Sequence, residues 1–322
     1  MLFRPHFLIV GALVVLFIGA GVFWPPLQLS KPLTVAIGTW PGVEPLVLAD
    51  EMGILSEEVT ILEMPWPSAT LRAFENGAAD VAVLTLDEML RLAQSGHDLR
   101  VVLVLDISRG ADAILAKPDT KSVQELKGKR VGVGLNTVGQ YILVRALDEA
   151  GMSPADVQMV PINVAESERA FEDQELDAVV TSDPFRTRLL ERNAVEIFNS
   201  TSLSGEVTRV LAVRAETLEE RRDVLQQIVD SHFWGLVKLK EGASAEIEEA
   251  ISRREGLQSS QFRQALKLIE QPDRNQNAAL LGLGEQSLMS VIGRIEKFMI
   301  RQGWIAKSQA ERKWTDDRLC AP

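Results

Sequence analysis

The tetrapeptide Arg-Ala-Phe-Glu occurs twice in this chain, at residues 72–75 and again at 169–172, and each copy is followed at the same distance by an aspartate, Asp80 or Asp177. Beyond the aspartate both copies run into an apolar stretch (Val81 to Leu84; Ala178 to Val180) and then a hydroxyl, Thr85 or Ser182. Carried towards the N-terminus, the same offset pairs Gly42 with Gly139. Each of these follows a β-rich stretch (Leu33 to Gly38; Arg130 to Gly134) and opens a helical pattern. Recurrence in register over that length marks a duplicated supersecondary unit, so the sequence predicts two similar α/β lobes. Two such lobes face to face enclose a cleft between the carboxyl ends of two sets of strands, which is where open α/β sheets bind ligands.

Composition narrows the partners. A chain of 322 residues, 46% of them hydrophobic, can bury one large or two medium cores. Its net charge of −11 argues against nucleic acid, which demands a basic footprint. The one cysteine, Cys320, permits no internal disulfide and no thiolate metal site. His6, His97 and His232 lie far apart without ligand spacing, and read as surface or packing residues. No metal or cofactor is expected. Signals of the common hydrolases are also missing: there is no Gly-x-Ser-x-Gly elbow, no His-Glu-x-x-His helix and no phosphate-binding glycine loop with its lysine.

The N-terminus stands apart. After Arg4 and His6, residues 7–24 form an uncharged apolar run closed by Pro25-Pro26, long enough to span a bilayer, with the preceding positive charge favouring a cytoplasmic start. It reads as a transmembrane anchor or signal segment, the anchor being slightly favoured because Gly19-Ala20-Gly21 is a weak cleavage site. No cysteine follows it for lipidation. The remainder is therefore expected in the periplasm or another extracytoplasmic space, tethered to the inner membrane.

From residue 33 the pattern alternates strand, loop and helix. Strands are predicted over Leu33–Gly38, Val59–Met64, Val81–Leu84 and Val101–Leu105, then over Arg130–Gly134, Val157–Pro161, Ala178–Thr181, Val195–Phe198 and Thr208–Val213. Thr85-Leu86-Asp87-Glu88 has capping-box spacing, and Ser122 to Glu125 repeats it. Beyond Glu216 the pattern is helical to about Trp304. The domain division expected is lobe one from 33–110 plus 215–304, lobe two from 111–214, and a polar, flexible tail over 305–322.

In order along the chain, Thr34-Val35-Ala36-Ile37-Gly38, the segment Leu46 to Leu55, Asn76-Gly77 with Asp80, Ser122 to Arg130, Ala150 to Val157, and Asp177-Ala178 with Asp183-Pro184-Phe185 resemble the periplasmic substrate-binding proteins of nitrate/sulfonate/taurine-type ABC transporters. Their superfamily includes a thiamine-pyrimidine-precursor branch. The resemblance covers residues 33 to about 240. It implies a two-lobe type II periplasmic-binding-protein fold, α/β in class, with a central cleft and two crossing strands as hinge, here near Ile107 to Ala116 and Thr208 to Arg214. It also implies a monomer that binds a small solute and hands it to an ABC permease.

Helix N-termini present N–H groups and partial positive charge, so several converging on a cleft can hold a small polar ligand without ionised side chains. The candidate ligand-binding residues are Trp40, Pro41, Gly42, Ser68 and Thr85 in lobe one, Ser108 and Asp112 near the crossing, and Asn136, Thr137, Gly139 and Asp183 in lobe two. Trp40 and Trp66 sit in Pro-flanked loops and can wall the mouth. Gly42 and Gly139 suit close backbone approach. A carboxylate beside the cleft, from Asp112, Asp183 or Asp87-Glu88, would repel nitrate or a sulfonate and suit an amine, an amidine or a pyrimidine edge, while Arg109 is the cation expected in the rim loops. Three readings compete: the importer component, a membrane-tethered sensor or adaptor of the same fold, and a thiamine-precursor-synthase-like enzyme. The last needs a substrate histidine and a cysteine-rich motif that the sequence lacks, so the chain is read as no enzyme.

Overall fold

The structure is a computed structural model that describes residues 31–321 apart from 243 and 310. The apolar segment 7–24, and with it the expected membrane tether, lies outside the described residues. Among those described, no helix is long and apolar enough to cross a membrane. Residues 33 onward form one unit built on two sheets.

The first sheet starts from β1 (Leu33–Gly38), α1 (Glu44–Glu51), β2 (Val59–Met64), α2 (Pro67–Glu75), β3 (Val81–Thr85) and α3 (Leu86–Gln94). β2 and β3 flank β1 and run parallel to it. The second sheet repeats the plan with β6 (Arg130–Val133), α4 (Val138–Glu149), β7 (Gln158–Pro161), α5 (Ser167–Glu172), β8 (Ala178–Thr181) and α6 (Phe185–Glu191), where β7 and β8 flank β6 in parallel. The long β4 (Leu99–Ser108) passes from the first sheet into β5 (Ala113–Ala116) of the second. The chain then returns from β9 (Val195–Asn199) to β10 (Thr208–Arg214) of the first. β10 lies antiparallel between β3 and β4, and β5 lies antiparallel between β8 and β9. Each sheet therefore takes its fourth strand from a connection to the other. β10 is a strand of the first sheet, as the return of the chain over Thr208 to Val213 requires although the division is drawn at residue 214, and its Val210, Leu211, Ala212 and Val213 bury fully against β3 and β4.

The duplicated tetrapeptide closes the same turn in both lobes. Gly77 and Gln174, which occupy equivalent positions, both take left-handed conformations after their helices. The Asp80 amide donates to Thr34 O and its carboxylate accepts from Thr34 N; Asp177 does the same with Arg130. Each aspartate thus pins the helix exit to the start of the central strand and satisfies two edge groups at once.

Helices α7 (Ala215–Glu220), α8 (Arg222–Lys240), α9 (Ala245–Arg254) and α10 (Ser259–Leu266) follow. Then come a two-residue strand, β11 (Ile269–Glu270), α11 (Arg274–Leu281) and α12 (Leu288–Arg301). The expectation of unbroken helix after Glu216 misses β11. This strand covers the end of the β4 edge at Ile107 and Ser108. Asn277 completes the middle of that edge, accepting from Val104 N at 2.7 Å and donating to Val104 O at 3.1 Å. Residues expected as a loose tail seal its start. Thr315 bridges Val101, the Val101 amide donates to Trp314 O, and Trp314 and Cys320 are buried. The polar composition of 305–322 hides a few apolar anchors, Trp314, Leu319 and Cys320, that suffice to cover an otherwise open strand edge.

Candidate functional site

The carboxyl ends of six parallel strands, three from each sheet, open on one cavity of about 600 Å³. Lobe one contributes Gly38, Thr39 and Trp40 after β1, Pro65 and Trp66 after β2, and Leu84 and Thr85 from β3. Lobe two contributes Gly134 and Leu135 after β6, Pro161 and Ile162 from β7, and Thr181 to Asp183 after β8. The volume suits a small organic molecule, and the place is where such sheets bind ligands.

Of the residues expected there, Trp40, Ser68, Thr85, Asp112, Thr137, Gly139 and Asp183 line the cavity. Pro41, Gly42, Ser108 and Asn136 lie outside its lining. Gly42 is glycine because a Cβ there would run into the Asp106 carboxylate and the Trp40 indole nitrogen. Ser108 sits at the crossing, its hydroxyl 2.7 Å from that of Ser200, which also accepts from Gly110 N. Asn136 takes a left-handed turn before α4, its amide donating to Gln140. Arg109 pairs with Glu270 on the surface. His232 is buried within α8, where the loss of solvation holds its pKa down at about 3.

The sequence pattern brings out Asp112 and Asp87-Glu88 but not the long-range partners of the buried charges. Arg209 of β10 forks onto Asp112 with bonds of 2.8 and 3.1 Å, lies 3.6 Å from Asp106, and stacks 3.4 Å above the Trp40 ring. The Trp40 indole donates to Asp106 at 2.8 Å. Burial lifts Asp106 to about 6 against the opposing pull of Arg209. On α3 the Glu88 carboxylate accepts from Thr85 N at 3.0 Å while Thr85 donates its hydroxyl to Asp87 at 2.7 Å. Burial, and then the neighbouring Asp87 charge, lifts Glu88 to about 7. The N-terminus of α3 is thus closed by its own acid side chains, which take the place expected for bare main-chain dipoles. Behind Trp40, Glu44 is raised well above the usual carboxylate range by burial and by Glu255 beside it, while Arg254 donates to Glu44 at 2.8 Å. Burial likewise raises Glu255. These pairs join residues far apart in sequence, with Arg209 97 positions from Asp112 and Arg254 210 from Glu44, and no local pattern announces them.

Three features define the class: two parallel-stranded sheets, two antiparallel crossings, and one cavity at the strand ends. This is the two-lobe α/β fold of periplasmic binding proteins. The chain belongs to the NMT1-like family, whose sequence profile matches residues 29–249. Among curated relatives it is 26% identical over 193 residues to a putative aliphatic sulfonates-binding protein of Escherichia coli (strain K12). That match takes in 58% of this chain and 60% of the relative, so the chain spans less than two thirds of the relative's length. Among solved structures, the alkanesulfonate-binding protein SsuA from Xanthomonas axonopodis pv. citri, bound to MOPS, superposes with a TM-score of 0.74 at 19% identity. The superposition covers 89% of this chain and 99% of that one. The desulfurization enzyme DSZB shares the fold at a TM-score of 0.65 and 14% identity, over 90% of this chain and 98% of the enzyme. One fold therefore carries both binding and catalysis, and the site has to decide between them.

Proposed function

We propose that this chain is the extracytoplasmic solute-binding component of an ABC-type importer, taking a small polar organic solute into the cleft between its lobes and presenting it to a membrane permease. The observation that carries this reading is the single cavity bordered by strand ends from both sheets. A solute held there touches both lobes, so it favours the closed arrangement over the open one by its differential contacts. The family and the binding-protein relatives support the same reading. The cavity-lining residues singled out above, Trp40, Ser68, Thr85, Asp112, Thr137, Gly139 and Asp183, are the ones proposed to form the site, and we assign no catalytic residue.

A thermal-shift screen against sulfonates, nitrate, amines and pyrimidine precursors tests the reading, since a solute that binds the folded state stabilises it by mass action. Binders should raise the melting temperature, and calorimetry should show that affinity loss on substituting Trp40 leaves the fold intact. A panel in which no solute binds, or binding unaffected by Trp40→Ala, would remove the site. The proposed tether is a separate matter. Its expected signature is recovery of the protein in the inner-membrane fraction with residues 7–24 retained, whereas a mature chain beginning near Val22 in the soluble periplasmic fraction would exclude it.

A further inference from the structure

The cavity contains unmatched carboxyl oxygens. Asp183, Glu88 and Glu255 line it and are 3%, 3% and 1% exposed. In each, one carboxylate oxygen finds no hydrogen-bond partner: Asp183 Oδ2, Glu88 Oε1 and Glu255 Oε2. Their other oxygens are engaged. Asp183 Oδ1 accepts from the amide and hydroxyl of Thr187 at 3.0 and 2.6 Å, Glu88 Oε2 accepts from Thr85 N, and Glu255 Oε1 lies 3.5 Å from Arg254. A buried acceptor left without a donor is unfavourable, so three of them around one cavity call for a donor from outside the chain.

Most of the guanidinium groups nearby are already engaged. Arg209 is committed to Asp112, and Arg188 to Glu168 at 2.9 Å and to Gly256 O at 2.8 Å. Arg254 is turned towards Glu44. Arg72 also lines the cavity and Arg254 keeps two N–H groups without a hydrogen-bond partner, but the Asp183 carboxylate, bonded only to Thr187, has no guanidinium on it. An organic cation would meet its complement.

Asp183 stands on lobe two and Glu255 on the loop after α9, among the helices that follow the return to the first sheet, and the charge of Asp183 is felt at Glu255. We propose, building on the solute-binding reading, that the solute is an organic cation of the ammonium or amidinium type, held between Asp183 and Glu255 with Glu88 at the floor of the cavity. Two like charges facing each other across the cleft oppose closure, and a positive N–H donor placed between them reverses that sign. The same contact would then set both specificity and the closing of the lobes.

The test uses the full chain in detergent and three probes of matched shape: benzamidine (cationic), benzamide (neutral) and benzenesulfonate (anionic), with butylamine, butanol and butanesulfonate as an aliphatic set. Calorimetry should show the cation of a set binding at least tenfold more tightly than its neutral partner, with no binding by the anion. Glu255→Gln and Asp183→Asn should each weaken the cation at least tenfold and shrink its advantage over the neutral probe. Asp183 also holds Thr187, so if Asp183→Asn fails to fold, Glu255→Gln alone decides. A sulfonate that binds as tightly as the amine overturns the charge assignment while leaving the solute-binding reading intact. Cation affinity unmoved in the folded variants also overturns it. Failure of all six probes, and of the wider solute screen, would sink both together.

Discussion

The two copies of the repeat fold alike up to the strand's end and then diverge. Their turns superimpose bond for bond: in lobe one the amides of residues 76 to 80 donate to Arg72, Phe74, Ala73, Ala73 and Thr34. In lobe two those of residues 173 to 177 donate to Arg169, Phe171, Ala170, Ala170 and Arg130. Past β3, however, Thr85 is followed by Leu86-Asp87-Glu88, whose acids close the next helix. Past β8 the equivalent run is Ser182-Asp183-Pro184-Phe185, which has no acid in Glu88's place. Duplication preserved what the backbone needs and left the cleft-facing ends free to differ, so that Glu88 lines the cavity from lobe one where Phe185 lines it from lobe two.

The paired glycines break the comparison most sharply. Gly42 and Gly139 are equivalent in sequence, yet an added methyl group at Gly42 has no room beside Asp106 and Trp40, whereas at Gly139 its nearest neighbour would be Thr137 Oγ1 at 3.6 Å, an ordinary contact. Gly42→Ala should therefore displace the Asp106–Arg209–Trp40 assembly and lower unfolding stability by about 2–4 kcal/mol. Gly139→Ala, at the start of α4, should change it by less than about 1 kcal/mol, since a helical alanine offsets any small crowding. Urea unfolding of both variants decides this. Equal losses would mean that the close approach at Gly42 is not what holds the glycine there.

The same pair shows what could be read from the sequence. The strand–helix alternation, the duplication, the crossing and the cleft all follow from local signals: periodicity, capping residues and turn glycines at fixed spacing. Trp40, Thr85, Asp112 and Asp183 could be placed near the cavity because they sit at strand ends or beside the crossing. Arg209 could not. It lies within an apolar strand, and its partners Asp112 and Asp106 come from another segment of the chain. Glu44, Arg254 and Glu255 were hidden for the same reason, and β11 is only two residues long. Gly42 looked like a residue that approaches a ligand, but its real neighbour is a buried carboxylate, and spacing alone does not separate those two demands.

A pH titration sharpens the contrast between the strand ends. Glu88 in the folded protein has its pKa raised from the ordinary 4.5 to about 7 by burial and by Asp87, with the Thr85 bonds and Arg209 opposing. The folded state then holds a proton that the unfolded state has released. The stability this contributes is full below about pH 4.5 and is lost as pH rises through about 7. Asp106, raised to about 6, acts in the same direction, while His232, depressed to about 3, gains stability with rising pH up to its ordinary 6.5. Both are present in wild type and in Glu88→Gln, so the difference between the two proteins reports Glu88 together with its neighbour Asp87, which burial also raises. Relative to the variant, wild type should lose on the order of 1–3 kcal/mol between pH 5 and pH 8. Phe185→Leu, at the equivalent place in lobe two, should show no such slope. A flat difference for Glu88→Gln would mean that this carboxyl is not titrating in a buried setting.

The smallest effect tests the turn itself. Gly77 has φ of 74° and Gln174 has φ of 58°, so both copies use the left-handed region at the residue that ends the helix. For glycine that conformation carries no steric penalty. A residue with a Cβ is strained there by roughly 1 kcal/mol, an amount partly returned because glycine has more freedom to lose on folding. Nothing lies within 4 Å of a Cβ built at Gly77, so crowding plays no part in that copy. Gln174→Gly should then stabilise the protein by up to about 1 kcal/mol, and Gly77→Gln should destabilise it by a similar amount, both read from denaturant midpoints at unchanged slope. If Gln174→Gly is destabilising instead, the Gln174 side chain contributes more to lobe two than its backbone strain costs. The bond from Arg130 to Gln174 O, at 2.8 Å, survives the substitution and cannot account for such a result.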